Sequence, residues 1–162
     1  MRLALYQPDN PMNVGAAIRL AACFDVALDV IRPCGFPLSA RELNRAAMDY
    51  RAQAEMVLHD DWQHFLGVRP AGARLVLLTT SGAEPHTEFR YQPDDILLLG
   101  RESSGVPDHV HDLADARVVV PMAPGARSLN VVVSGAVVLA EALRQQDEFS
   151  RFIKDAERNK PL

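Results

Sequence analysis

Cysteine is scarce in this chain. Cys23 and Cys34 are its two thiols, each set among apolar neighbours, which supports neither a disulfide framework nor a metal cluster and fits a reducing cytosol. Long apolar runs are missing as well. The longest, such as Asp95-ILLLG and Arg117-VVVPM, are strand-sized and far short of the roughly 20 residues a membrane helix needs. The N-terminus shows no basic region leading into an apolar stretch, so a soluble, unexported, cytoplasmic protein is expected. His59, His64, His86, His109 and His111 have no paired metal spacing; they read as surface or capping residues, and no metal is assigned. Neither G-x-G-x-x-G nor G-x-x-x-x-G-K-[ST] occurs, which removes the glycine-rich phosphate cradles of dinucleotide and triphosphate sites. There is no G-x-S-x-G elbow and no cysteine beside a plausible partner, so covalent hydrolase chemistry has no handle. An excess of positive charge is also lacking: 17 basic against 21 acidic residues leave −4. Any RNA binding must therefore use a local basic patch.

What is present suffices for one core. A chain of 162 residues, 48% hydrophobic and 23% charged, suits a single compact domain. Runs at Leu3-ALY, Ala27-LDVI, Leu75-VLLT, Ile96-LLLG and Val118-VVP are separated by helix-length segments, an alternation that predicts an α/β domain with a mainly parallel sheet. Helical spacing is clearest in Val14-GAAIRLAACF, where Ile18, Ala21 and Ala22 share a face, and from Ser128 to Gln146. The first half of that second helix is apolar on every side and rich in small residues, which predicts burial against another helix. Residues 1–147 are assigned to the domain and 148–162 to a polar C-terminal tail, a loosely held helix or a disordered end. Its Arg151, Lys154, Arg158 and Lys160 could supplement RNA contact or simply be solvated.

In an open parallel sheet, ligands bind beyond the carboxyl ends of the strands. Four strand-following loops stand out there: Gln7-PDNPMNVG, Thr80-SG, Gly100-RESSGVP and Pro121-MAPGARSLN. Each combines glycine or proline with small polar residues able to offer hydrogen bonds.

At these loops the chain resembles the SPOUT RNA methyltransferases (the TrmH/SpoU superfamily), and among them the TrmL-type enzymes that methylate the 2′-oxygen of tRNA nucleotide 34. Asn13-VGAAIR resembles the N-x-G-x-x-x-R motif, Gly100-RESSGVP the G-x-E-x-x-G-[LIV]-P motif, and Pro121-MAPGARSLN the P-M-x-P-x-x-R-S-L-N loop. The likeness runs from Leu3 to about Gln145. Tyr6-QPDNPMNVG, Arg32-PCGFP and Arg45-AAMDY look like the wobble-ribose group in particular.

The resemblance implies a single-domain α/β knot fold with a C-terminal trefoil knot, and transfer of a methyl group from S-adenosylmethionine to the wobble ribose of a tRNA anticodon stem-loop. It implies cofactor contacts around Leu78, Gly100, Gly105, Val120, Met122, Ser128 and Leu129, and catalytic roles for Arg19, Asn13, Glu102 and Asn130. A guanidinium stays protonated, so a cationic role for Arg19 is expected, stabilising the developing alkoxide or fixing a phosphate. The chain departs from the pattern at Val132, where many members have serine, which removes a hydroxyl expected near the site. A homodimer is implied, in which Arg19 serves either its own chain's cofactor site or, as we hypothesise, the partner's. The same reaction on another tRNA position or on rRNA, and a non-catalytic RNA- or cofactor-binding protein, are the alternatives.

Overall fold

A computed structural model describes residues 1–38, 50 and 52–158; Arg45-AAMDY lies outside the described residues apart from Tyr50. The chain forms β1 (Arg2–Tyr6), α1 (Pro11–Cys23), β2 (Ala27–Ile31), β3 (Met56–His59), α2 (Trp62–Val68), β4 (Leu75–Leu78), β5 (Glu84–Pro85), β6 (Ile96–Leu99), α3 (Asp108–Asp112), β7 (Ala116–Val119), α4 (Val131–Gln145) and α5 (Glu148–Arg158). The strands make one seven-stranded sheet in the order β3-β2-β1-β6-β4-β7-β5, and every strand pair is parallel. The five expected strands are all present. The short β3 and the two-residue β5 were not foreseen.

Both faces of the sheet are covered, which explains why its central strands are continuously apolar rather than alternating. On β6, Leu97 and Leu99 enter the cluster under α1 and α4, whereas Ile96 and Leu98 enter the cluster under α2 and α3 with Trp62, Phe65 and Val110. All four β6 side chains are at most 2% exposed, so each contributes roughly 1.5–3 kcal/mol by burial. Gly135 lets α4 lie close on β6: a Cβ there would come 2.7 Å from a Leu99 methyl carbon.

Helix α1 starts at Pro11, whose fixed φ suits the first turn, after the Asn10 side chain accepts from the Met12 amide at 2.9 Å. Ile18 and Ala21 are buried as expected; Ala22 is half-buried. Helix α4 begins at Val131 rather than Ser128, and its apolar first half is not buried on every side. Val132, Gly135 and Val138 face the core, while Val133 and Val137 are 49% and 37% exposed. One helix face suffices to close a single core, so the other remains uncovered within one chain. The expected tail is largely helical: Phe149 meets Phe24 edge-to-face at 5.9 Å, and Arg151 lies 3.5 Å from Asp25.

Two histidines depart from the surface reading. His86 is 9% exposed, and His59 is 2% exposed, its Nε2 2.8 Å from buried Asp29, which also accepts from Arg2 at 2.8 Å. A buried carboxylate on β2 requires such partners.

Candidate active site

Strands β1, β6, β4 and β7 are consecutive in the sheet, and their carboxyl ends feed the four loops picked out from the sequence. Those loops meet around one cavity of about 580 Å³. Leu77, Leu78, Val118, Val120 and Leu129 give it apolar walls; Thr79, Thr80, Ser128 and Asn130 give it polar ones. The loop after β6 is pinched into shape by its backbone. Arg101 N donates to Gly105 O at 2.8 Å and Gly105 N donates to Arg101 O at 2.9 Å. That pinch needs glycine twice. A Cβ on Gly100 would sit 2.8 Å from the Gly105 carbonyl carbon, and Gly105 itself has φ +68°.

A chain of polar side chains crosses from this loop to both helix starts. Glu102 accepts from the Asp9 amide at 2.8 Å with one carboxylate oxygen and from Asn13 Nδ2 at 2.7 Å with the other. Asn13 Oδ1 accepts from Asn130 Nδ2 at 3.0 Å. Asn130 Oδ1 then caps α4, accepting from the Val132 and Val133 amides at 2.9 and 3.2 Å. Behind Glu102, Asp9 is ion-paired with Arg101 and accepts from the Ser103 hydroxyl at 2.5 Å. The Arg101 guanidinium first, and the Ser103 hydroxyl second, hold the Asp9 carboxyl down at about 2, well below its ordinary 3.8.

Ten of the eleven residues expected at the site line this cavity: Asn13, Leu78, Gly100, Glu102, Gly105, Val120, Met122, Ser128, Leu129 and Asn130. Arg19 does not. It is exposed on α1, with its guanidinium 5.1 Å from the centre of the Tyr50 ring. Val132 packs in the core at 7% exposure, and Ser134, one turn into α4, is among the residues that line the cavity. Asn10, Thr79, Arg101 and Arg127 also line the cavity without having been singled out, although the quoted motif segments contain all of them except Thr79, which precedes Thr80-SG. Among the described residues, no group of three or more metal-ligating side chains converges, and no helix is long and apolar enough to cross a membrane.

Known proteins resemble this chain in sequence and in fold. A tRNA (cytidine(34)-2′-O)-methyltransferase of Beijerinckia indica subsp. indica is 51% identical over 157 residues, covering 96% of this chain and 98% of that protein. A solved structure described as giving insights into the 2-OH methylation of C/U34 on tRNA superposes with a TM-score of 0.85 at 39% identity, covering 90% of this chain and 95% of that one. An AdoMet-bound rRNA methyltransferase from Sinorhizobium meliloti superposes with a TM-score of 0.79 at 26% identity, covering 88% of this chain and 55% of that one. The model of the SpoU rRNA methylase family matches residues 1–140. With all three motif loops gathered at one cavity, this chain belongs to the SpoU rRNA methylase family.

Proposed function

We propose that this chain transfers the methyl group of S-adenosylmethionine to the ribose 2′-hydroxyl of the wobble nucleotide, position 34, of tRNA. The observation that carries the reading is that the loops after β1, β4, β6 and β7 build a single cavity in a chain 51% identical, over nearly its whole length, to an enzyme named for this reaction.

The cavity fits the cofactor. Its volume of about 580 Å³ lies within the usual range for small-molecule sites. Leu78, Val120 and Leu129 offer apolar surface to a flat base, and the glycine-lined main chain at Gly100 allows close backbone approach. When bound, S-adenosylmethionine supplies an electrophilic methyl group, so the protein has to bind, align and assist loss of one proton. Glu102, Asn13 and Asn130 are hydrogen-bonded to one another and fix the edge of the site against which a ribose would rest. Arg19, always protonated, serves as a cation at the attacking oxygen or the adjacent phosphate.

Arg19 is outside the cavity lining of its own chain, which supports its service to a second subunit. Met12 on the first turn of α1 and Val133 and Val137 on α4, at 69%, 49% and 37% exposure, are apolar side chains that a self-complementary homodimer would cover. In this reading the trefoil knot is made where the segment from Val120 to Asn130 meets the loop after β6, and the protein acts in the cytoplasm, on the anticodon stem-loop.

The test is methyl transfer to total tRNA and to ribosomal RNA, with the modified ribose mapped. Methylation at nucleotide 34 is expected. Methylation confined to rRNA or to another tRNA position would overturn the substrate, and cofactor binding without transfer to any RNA would overturn the enzyme.

A further inference from the structure

Asp9 does not line the cavity, yet its carboxylate engages residues on both sides of Glu102. It is ion-paired with Arg101, accepts from the Ser103 hydroxyl at 2.5 Å and from the Ser103 amide at 3.2 Å. Its own amide donates to Glu102 Oε2 at 2.8 Å. The clamp is itself braced. Arg101 reaches Gln7 Oε1 at 3.4 Å, and Gly35 packs against Asp9, where a Cβ would lie 2.9 Å from Asp9 Oδ1.

We infer that Asp9 is a positioning residue for methyl transfer, gripping Arg101 and Ser103 so that Glu102 stays aimed at Asn13. The inference rests on the proposed function. Its physical basis is that the loop after β6 has two fastenings, one through the backbone of Arg101 and one through side chains. The Arg101–Gly105 backbone pinch shapes the part of the loop around Gly100 and Gly105. The Asp9 clamp instead sets the direction of the loop's outer arm, where Glu102 sits. Among the described residues, Glu102 accepts from the Asp9 amide and from Asn13, and Asn13 carries the link on to Asn130 and the cap of α4. A carboxylate held well below its ordinary value by Arg101 and Ser103 stays ionised near neutral pH, so the ion pair is not lost to protonation. The division of labour makes the two fastenings separable: loosening the clamp misaligns the reacting edge while leaving the cofactor pocket closed.

The experiment compares Asp9→Asn, the milder Ser103→Ala, Glu102→Gln, and the Asp9→Asn/Glu102→Gln double variant. Asp9→Asn is expected to lower kcat about tenfold, the scale of a sub-ångström misplacement, with cofactor Kd changed less than about threefold. Ser103→Ala, which leaves the ion pair in place, should lose about threefold in kcat. The double variant should be no slower than Glu102→Gln alone, because residues acting through one another are not additive. Losses that multiply in the double variant, or a cofactor Kd that rises as much as kcat falls, would overturn the role. A second readout needs no activity. The side-chain amide of Asn13, bonded to a carboxylate at 2.7 Å, should shift in nitrogen–proton spectra of Asp9→Asn toward its position in Glu102→Gln. If the wild-type protein methylates no RNA, the proposed function fails and this spectrum alone decides: an unmoved Asn13 resonance overturns the positioning role, and a moved one upholds the clamp.

Discussion

Replacing Gly100 by alanine isolates what the glycine-lined loop does. The new Cβ would lie 2.8, 2.9 and 3.1 Å from the carbonyl carbon, Cα and oxygen of Gly105. All three are backbone atoms with no side-chain freedom to yield. Comfortable carbon contact begins near 3.5 Å, so the two strands of the loop must part by about 0.7 Å. The Arg101–Gly105 hydrogen bonds, at 2.8 and 2.9 Å, would stretch to the limit of useful length. Two net hydrogen bonds at about 1 kcal/mol each give roughly 2 kcal/mol of lost stability, or about 6 °C in Tm for a domain of this size. If the same backbone holds the cofactor, a loss of that size corresponds to about a thirtyfold rise in Kd. Gly105→Ala is the internal control. Its Cβ meets nothing within 4 Å, so the remaining cost is the positive φ of +68°, about 1 kcal/mol. Calorimetric titration with S-adenosylmethionine and thermal melts of both variants make the comparison. Wild-type cofactor affinity in Gly100→Ala, or a larger loss of melting temperature in Gly105→Ala, would refute the argument.

Arg19→Ala should lower turnover at least a hundredfold, the scale of a lost transition-state charge contact, while calorimetry finds cofactor affinity intact; an active variant would remove the residue from the mechanism. Asp95 is fully buried and accepts from Arg74 at 2.8 and 2.7 Å and from the Gln92 amide at 2.8 Å. Asp95→Ala leaves the Gln92 amide without its acceptor and the Arg74 guanidinium with Arg90 O at 2.9 Å and the Phe89 ring, and should destabilise the protein by about 2 kcal/mol in denaturant titration. Asp9, through Arg101, and Glu141, through Arg144 and then Gln145, are both depressed to about 2 from 3.8 and 4.5. Depressed carboxyls add stability that is present above their unfolded values and lost as pH falls through the folded ones. Melting temperature should thus fall between about pH 4.5 and 2, and less steeply in Glu141→Gln.

The sheet's centre was legible because burial on both faces writes itself as unbroken leucine and isoleucine, as in Ile96–Leu99. The edges were not. Glu84–Pro85 is too short to carry a period, and Met56–His59 includes a histidine whose burial depends on Asp29, which lies 30 residues earlier. The site was legible to the extent that motif loops follow strands, which is why its cavity residues came out together. Asp9 was missed because an aspartate between proline and asparagine reads as ordinary turn chemistry. Its partners Arg101 and Ser103 lie 92 and 94 residues away. The apolar first half of α4 was legible too, and its exposed Val133 and Val137 are where one chain stops covering it: a helix apolar all round signals burial, but not whether the covering surface belongs to the same chain.

The strand register has a consequence for how the protein is made. Arg2 to Leu5 on β1 pair with Ile96 to Leu99 on β6, yet on the ribosome β2 is the only one of β1's two neighbours available for most of synthesis. Until residue 99 has left the tunnel, the nascent half-sheet presents an unsatisfied apolar edge, Leu3-ALY, of the kind that recruits other chains. The catalytic pocket comes later still. Asn130 must emerge before Asn13 and Glu102 are joined to the cap of α4, so a chain stalled after β7 would carry all seven strands and an active-site edge still cut off from α4.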